Sequence, residues 1–295
     1  LERPTFKIGI ASGKGGTGKT IIATNLVAAI ARMGNKVAYL DCDVEEPNGN
    51  IFLKPEISEK SDVSVLVPKV DLDKCVFCGD CSAACEFHAI AVLGKTVEVF
   101  PSLCHSCGGC IDVCPEDAIE EIPRAIGSVS CGVGMGVKFC EGRLNVGEPI
   151  SPPVTKAVKK HVTASDIVVI DSPPGTSCPV IEAISDTDFV ILVTEPTPFG
   201  LNDLKLAVGM VRELGLPHGV VINRSDIGDS ETDEYCRKER IDILMKMPYD
   251  RRVAEAYSLG RMILDIDPQY ERSLCELYQN VIERVNNERV GCNQR

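Results

Sequence analysis

Gly13-Lys14-Gly15-Gly16-Thr17-Gly18-Lys19-Thr20 decides the reading of this chain. The octet fits G-x-x-x-x-G-K-[ST], and its flanks fit as well: 7–11 reads as a short buried strand, and 20–32 has the length and apolar content of a helix. A glycine-rich turn between strand and helix lets backbone N–H groups face inward around phosphate, and the helix N-terminus adds partial positive charge. In such a loop Lys19 reaches the β and γ phosphates of a nucleotide, and the Thr20 hydroxyl ligates Mg2+.

Working outward, 36–40 is a second apolar strand that runs into Asp41 and Asp43. The same grammar returns after residue 150, with helices expected over 154–161, 201–214 and 273–286 and strands over 167–170, 189–194 and 219–223. These strands are continuous apolar runs, as expected of a sheet covered on both faces, so the fold class is α/β with a mostly parallel sheet flanked by helices. Asp171 ends the 167–170 strand and is followed by Ser172-Pro173-Pro174-Gly175. Carboxylates at the C-terminal edge of a parallel sheet sit where the ligand crevice opens, and there Mg2+ needs oxygen neighbours.

Between the two blocks the composition changes. From 70 to 123 the chain is rich in turn residues and acidic side chains and carries eight regularly spaced cysteines, which marks an insertion into a 1–69 plus 124–295 domain. Cys75, Cys78, Cys81 and Cys85 have the spacing C-x2-C-x2-C-x3-C, and Cys104, Cys107, Cys110 and Cys114 repeat it 29 residues later. Three cysteines on a tight loop plus a remote fourth can meet the corners of a 4Fe-4S cubane, and the doubled run points to two such clusters; zinc, which thiolates also suit, is the rival. Pro115 follows Cys114, whereas Glu86 follows Cys85, an added negative charge beside one cluster.

Two resemblances follow from these residues. The additional Lys14 is similar to the signature lysine of the deviant Walker A ATPases, the group of MinD, ParA, Mrp and the nitrogenase iron protein. Over nearly its whole length the chain resembles the members of that superfamily that contain an inserted bacterial-type ferredoxin domain of α+β structure. The resemblance implies that Lys14 crosses to a partner's nucleotide in an ATP-sandwich dimer, either a homodimer or a heterodimer with a related ATPase. It implies that Asp43 orients the attacking water, that Asp171 holds Mg2+ through water, and that the Gly175 amide senses the γ-phosphate. Asn223-Arg224 and Pro248-Tyr249-Asp250 look like adenine-side positions, the asparagine amide reading the base edge. By likeness to two-cluster ferredoxins, Cys75, Cys78, Cys81 and Cys114 hold one cluster, and Cys104, Cys107, Cys110 and Cys85 hold the other. The expected activity is ATP binding and hydrolysis, with ADP and Mg2+, coupled to electron transfer or to metal-cluster assembly on a redox or metal-cofactor protein. A MinD/ParA-like positioning ATPase and an iron–sulfur cluster carrier are the alternatives.

Composition bounds the partners. The 295 residues are 44% hydrophobic and 25% charged, with a net charge of -12 that argues against general affinity for nucleic acid or an anionic membrane. No apolar run is long enough to span a bilayer and no leader is evident, so a cytoplasmic protein is expected, and 15 cysteines in such a chain point to metal binding more than to a disulfide scaffold, with their distribution deciding which of them take part. The opening Leu1-Glu2-Arg3-Pro4, which lacks a methionine, is set aside as trimmed or added. Cys131 and Cys140 flank a glycine-rich hairpin turn and are expected to face each other. Cys178 has the spacing of the cysteine that bridges a cluster across the nitrogenase iron protein dimer, with Cys140 as its candidate second ligand. Cys42, Cys236, Cys275 and Cys292 are read as structural.

Overall fold

The computed structural model describes residues 5–161 and 167–292, with side chains to residue 286, so Cys292's side chain lies outside the described residues. The strands are β1 Phe6–Ala11, β2 Val37–Asp41, β3 Glu56–Val70, β4 Ile90–Leu93, β5 Thr96–Val99, β6 Ile119–Gly134, β7 Val137–Leu144, β8 Ile167–Asp171, β9 Phe189–Thr194, β10 His218–Asn223 and β11 Ile243–Met247. The helices are α1 Lys19–Arg32, α2 Gly49–Leu53, α3 Asp80–Ala84, α4 Gly109–Asp112, α5 Pro152–Lys160, α6 Cys178–Ile184, α7 Pro198–Glu213, α8 Glu231–Glu239, α9 Arg251–Ser258 and α10 Pro268–Cys292.

Nine strands form one sheet in the order β11-β10-β9-β1-β8-β2-β7-β6-β3. From β11 to β7 every pairing is parallel, and β6 and β3 are added antiparallel at one edge. Buried apolar side chains cover both faces of the parallel part. One layer packs β-face residues such as Ile8, Tyr39 and Phe139 against α1 and α10; the other packs Leu40, Ile170 and Leu192 against α5, α6 and α7. Helix α1 is buried over most of its circumference, which fits its place between the sheet and α10.

The cysteine-rich stretch is carried on a long ribbon. β3 and β6 pair from Glu56↔Val133 to Val70↔Ile119, and only the inner half of β6 also pairs with β7, from Gly134↔Val137 to Gly127↔Leu144. The turn between β6 and β7 is Met135-Gly136 with φ of 52° and 76°, the left-handed pair that a two-residue hairpin requires. Beyond Val70 and before Ile119, α3, α4 and the β4–β5 hairpin form a small unit whose apolar centre includes Cys81, Ile90 and Ile119. Its halves repeat the same backbone: Phe77 and Ser106 have φ of 56° and 55°, and His88 and Asp117, also 29 positions apart, have 52° and 46°.

Candidate nucleotide site and cysteine centres

Strand β1 delivers the phosphate loop and α1 leaves it. Ser12 Oγ donates to the Lys14 carbonyl at 2.6 Å, and Gly18 caps α1 with φ 98°. Asn223, the last residue of β10, braces the loop from the side: its Nδ2 donates to the Thr17 carbonyl at 2.9 Å and its Oδ1 accepts from the Arg224 amide at 2.9 Å. The carboxamide expected to read a base edge is therefore largely engaged by protein, and its first role here is to hold the loop. A Cβ on Gly18 would lie 2.6 Å from Asn223 Nδ2, and one on Gly13 would lie 2.1 Å from the Asp203 carbonyl in α7, so both approaches need glycine.

Gly15, Gly16, Gly18, Lys19, Thr20, Asp43, Asn223 and Arg224 line a cleft of about 380 Å3, together with Pro174, Tyr249, Asp250 and Tyr257. Arg224 is fixed by Glu195 at 2.9 Å. Lys14 is half-buried, and its ammonium makes no hydrogen bond or ion pair among the described residues. Lys19 is buried.

The carboxylates divide their work. Asp41 accepts backbone amides from Asp43 at 3.2 Å, Asn48 at 3.1 Å and Gly49 at 2.9 Å, so it pins the segment after β2 instead of facing the cleft. Asp171 lies beside it in register, and its Oδ2 accepts the Tyr39 hydroxyl at 3.0 Å. Its Oδ1 is buried without a partner. Burial pushes both carboxyls above the ordinary range; the Lys19 ammonium and the Thr20 and Tyr39 hydroxyls pull Asp171 back down. Asp43 is raised to about 6, mainly by burial, against the pull of Lys19. The orphaned carboxylate oxygen and the neighbouring Thr20 hydroxyl are oxygen donors that fit hydrated Mg2+, the ion supplying charge at the phosphate oxygens when bound. The Gly175 amide donates to the Ser12 carbonyl at 2.9 Å, so in this state it is committed to the loop and not open to a phosphate.

Tyr39 escaped the sequence reading. It stands two residues before Asp41 on the same face of β2, stacks on Phe139 at 5.7 Å and is fully buried. The signal available was the alternation itself, which puts Tyr39, Asp41 and their neighbour Asp171 on one side of the sheet.

The eight cysteines between β3 and β6 fall into two groups. Cys75, Cys78, Cys81 and Cys114 surround one cavity walled by Val70, Val92 and Ile119; Cys85, Cys104, Cys107 and Cys110 surround another walled by Leu66, Phe87 and Ile90. Backbone amides point at the sulfurs in matching fashion, Ala89 to Cys85 Sγ and Ala118 to Cys114 Sγ, each at 3.3 Å. Over the second group the Phe87 and His105 rings stack at 3.7 Å. Burial first, then the neighbouring thiols Cys104 and Cys107, moves the Cys110 thiol to about 11. The donor set fits polynuclear iron–sulfur groups, which would supply one-electron chemistry when bound.

Cys131 and Cys140 are opposed in the β6–β7 register and joined as a disulfide. Cys140 is thereby engaged and is not a free second ligand for Cys178, which lies exposed at the start of α6. Cys42 and Cys236 are buried, as read, and Cys275 is half-buried.

Comparison with known proteins identifies a nucleotide-binding domain. Residues 8–263 match the CobQ/CobB/MinD/ParA nucleotide binding domain. An uncharacterized protein of Methanocaldococcus jannaschii is 31% identical over 95% of this chain and 98% of its own length. A Pyrococcus horikoshii protein named as an iron-sulfur cluster carrier is 27% identical over 95% of this chain and 86% of its own. The solved cell division ATPase MinD of Pyrococcus furiosus superposes with a TM-score of 0.59, at 21% identity, over 95% of this chain and 99% of its own, a likeness of fold. On its phosphate loop, its sheet order and the match of most of its length, the chain belongs to the CobQ/CobB/MinD/ParA family of nucleotide-binding proteins.

Proposed function

We propose that the chain binds and hydrolyses ATP with Mg2+ and couples its nucleotide state to two 4Fe-4S clusters in a ferredoxin-like insertion. The clusters pass electrons to a partner protein or help assemble its metal cofactor. One observation carries the coupling. The strand that ends in Asp41 pairs with β7, β7 with β6, and β6 with β3, in the register Asp41↔Glu141↔Ser130↔Lys60, and β6 and β3 run on to the cysteines through one register shift at Val63/Ser64. Displacement of the loops that contact phosphate is thus applied at the base of the ribbon that bears the clusters.

In this reading the chain's own groups act in order. The loop amides and Lys19 hold the triphosphate, the Thr20 hydroxyl would ligate the metal and Asp171 hold its water shell, and Asp43 orients the attacking water and takes its proton. Lys14, without a partner among the described residues, reaches the nucleotide of a second ATPase subunit. Single zinc ions fit the insertion less well. Tetrahedral zinc thiolates bring sulfurs to about 3.8 Å of one another, whereas the one trio of metal-capable atoms within 4.8 Å among the described residues lies elsewhere.

The test is anaerobic purification followed by iron counting and a redox titration in apo, ADP and ATP states. About eight irons per chain are expected, and a tenfold preference of ATP for one cluster state moves a one-electron potential by about 59 mV. Identical potentials in all three states would discard the coupling. The likeness to named cluster carriers favours a second reading, in which the chain hands over a cluster. Transfer of iron to an apo-acceptor, stimulated by ATP, would distinguish it.

A further inference from the structure

We infer that, once its disulfide is reduced, the Cys131–Cys140 pair forms with His161 a zinc site separate from both the nucleotide cleft and the eight cysteines of the insertion. Cys131 Sγ, Cys140 Sγ and a ring nitrogen of His161 all lie within 4.8 Å of one another, the only such trio of metal-capable atoms among the described residues. Three separate elements bring them together. The cysteines oppose each other on β6 and β7, and His161 ends α5, its backbone N–H bonded to the Val158 carbonyl at 3.1 Å. Val158 packs in the same apolar cluster as both cysteines, so the last turn of α5 lies over the pair. Both cysteines are less than a tenth exposed and His161 is half-buried, which leaves one side open to solvent for a fourth ligand.

The chemistry is that of a thiophilic d10 cation. Two thiolates neutralise Zn2+, an imidazole completes a set of two sulfurs and one nitrogen, and water fills the remaining tetrahedral position. The steps balance: a dithiol reductant gives two electrons and two protons to the disulfide, forming Cys131 and Cys140 thiols and its own disulfide. The thiols then bind Zn2+ with release of two protons. The sulfurs must part to about 3.8 Å in the zinc form, a change that side-chain rotation across a cross-strand pair can supply. The metal ties α5 to the middle of the β6–β7 hairpin, between its turn and Gly127, where the ribbon leaves β7.

The experiment uses the full chain with its iron loaded anaerobically, reduced with a dithiol, exposed to zinc sulfate, and freed of loose metal. Metal counting and zinc K-edge absorption are read on wild type, Cys140→Ser and His161→Ala. His161→Ala, at a half-exposed helix end, guards against misfolding of the buried serine variant. The expected result is one zinc per chain beside intact iron, with two sulfur neighbours and a nitrogen. Loss of at least tenfold of that zinc is expected in both variants and in disulfide-oxidised protein. Zinc retained equally by the variants, absent from reduced wild type, or surrounded by four sulfurs would overturn the proposal. If the insertion itself takes zinc, the iron content falls and the zinc persists in Cys140→Ser but not in Cys85→Ser, so failure of the iron–sulfur reading is separately visible.

Discussion

Tyr39→Phe removes one oxygen and nothing else. The ring keeps its stack on Phe139 and its full burial, but Asp171 Oδ2 loses the hydroxyl it accepts at 3.0 Å, while Oδ1 already has no partner. A hydrogen bond to a charged, buried acceptor is worth about 1.5–3 kcal/mol, so the apo protein should lose about 2 kcal/mol at pH 8. For a chain of this size that corresponds to a fall of about 3 °C in Tm. The sign with pH follows from the carboxylate. Asp171 is raised in the fold, and losing a donor to its charged form raises it further, so the variant's deficit is full at high pH. It fades as pH falls and the folded carboxyl protonates. Thermal or urea unfolding of both proteins, without nucleotide, at pH 8 and at the lowest pH at which both remain folded measures this. A deficit of the same size at both pH values would refute the argument, because a packing defect does not titrate.

Three further outcomes are expected. Asp43→Asn removes a carboxyl that burial raises to about 6. Wild type should gain stability as pH drops through 6 and the variant should lack that gain, while ATP turnover in the variant falls by about a hundredfold or more, read by unfolding curves and phosphate release. Gly18→Ala sets a Cβ 2.6 Å from Asn223 Nδ2 on a backbone with φ 98°. It should cost about 1–2 kcal/mol in backbone strain alone and weaken nucleotide binding by tenfold or more, measured by calorimetry. Cys85→Ser and Cys114→Ser should each leave about four irons per chain, and the two variants should lose different clusters by electron paramagnetic resonance.

The sheet was legible because each parallel strand is an unbroken apolar run bounded by glycine, proline or acidic residues: the 189–194 expectation is β9 itself, and the phosphate loop sits between β1 and α1. The ribbon was not legible. The first seven residues of β3 are exposed, with no apolar alternation to betray a strand, and pairing with β6 alone holds them extended. The site divides the same way. Gly13 to Thr20 and the strand-end aspartates are local patterns, whereas the engagement of Asn223 with Thr17, of Gly175 with Ser12 and of Tyr39 with Asp171 joins residues far apart in the chain. Local pattern could place Asn223 and Gly175 near the site but not say which neighbour each would choose.

The ribbon also works as an arm. From Gly127, where β6 leaves β7, to Ile119 is eight residues, about 26 Å at 3.3 Å per residue. A tilt of about five degrees at its root would swing the far end by about 2 Å, whereas hydrogen bonds tolerate only a few tenths of an ångström. A partner gripping the tip would therefore be engaged or released by a motion too small to disturb the close packing of the sheet that produces it.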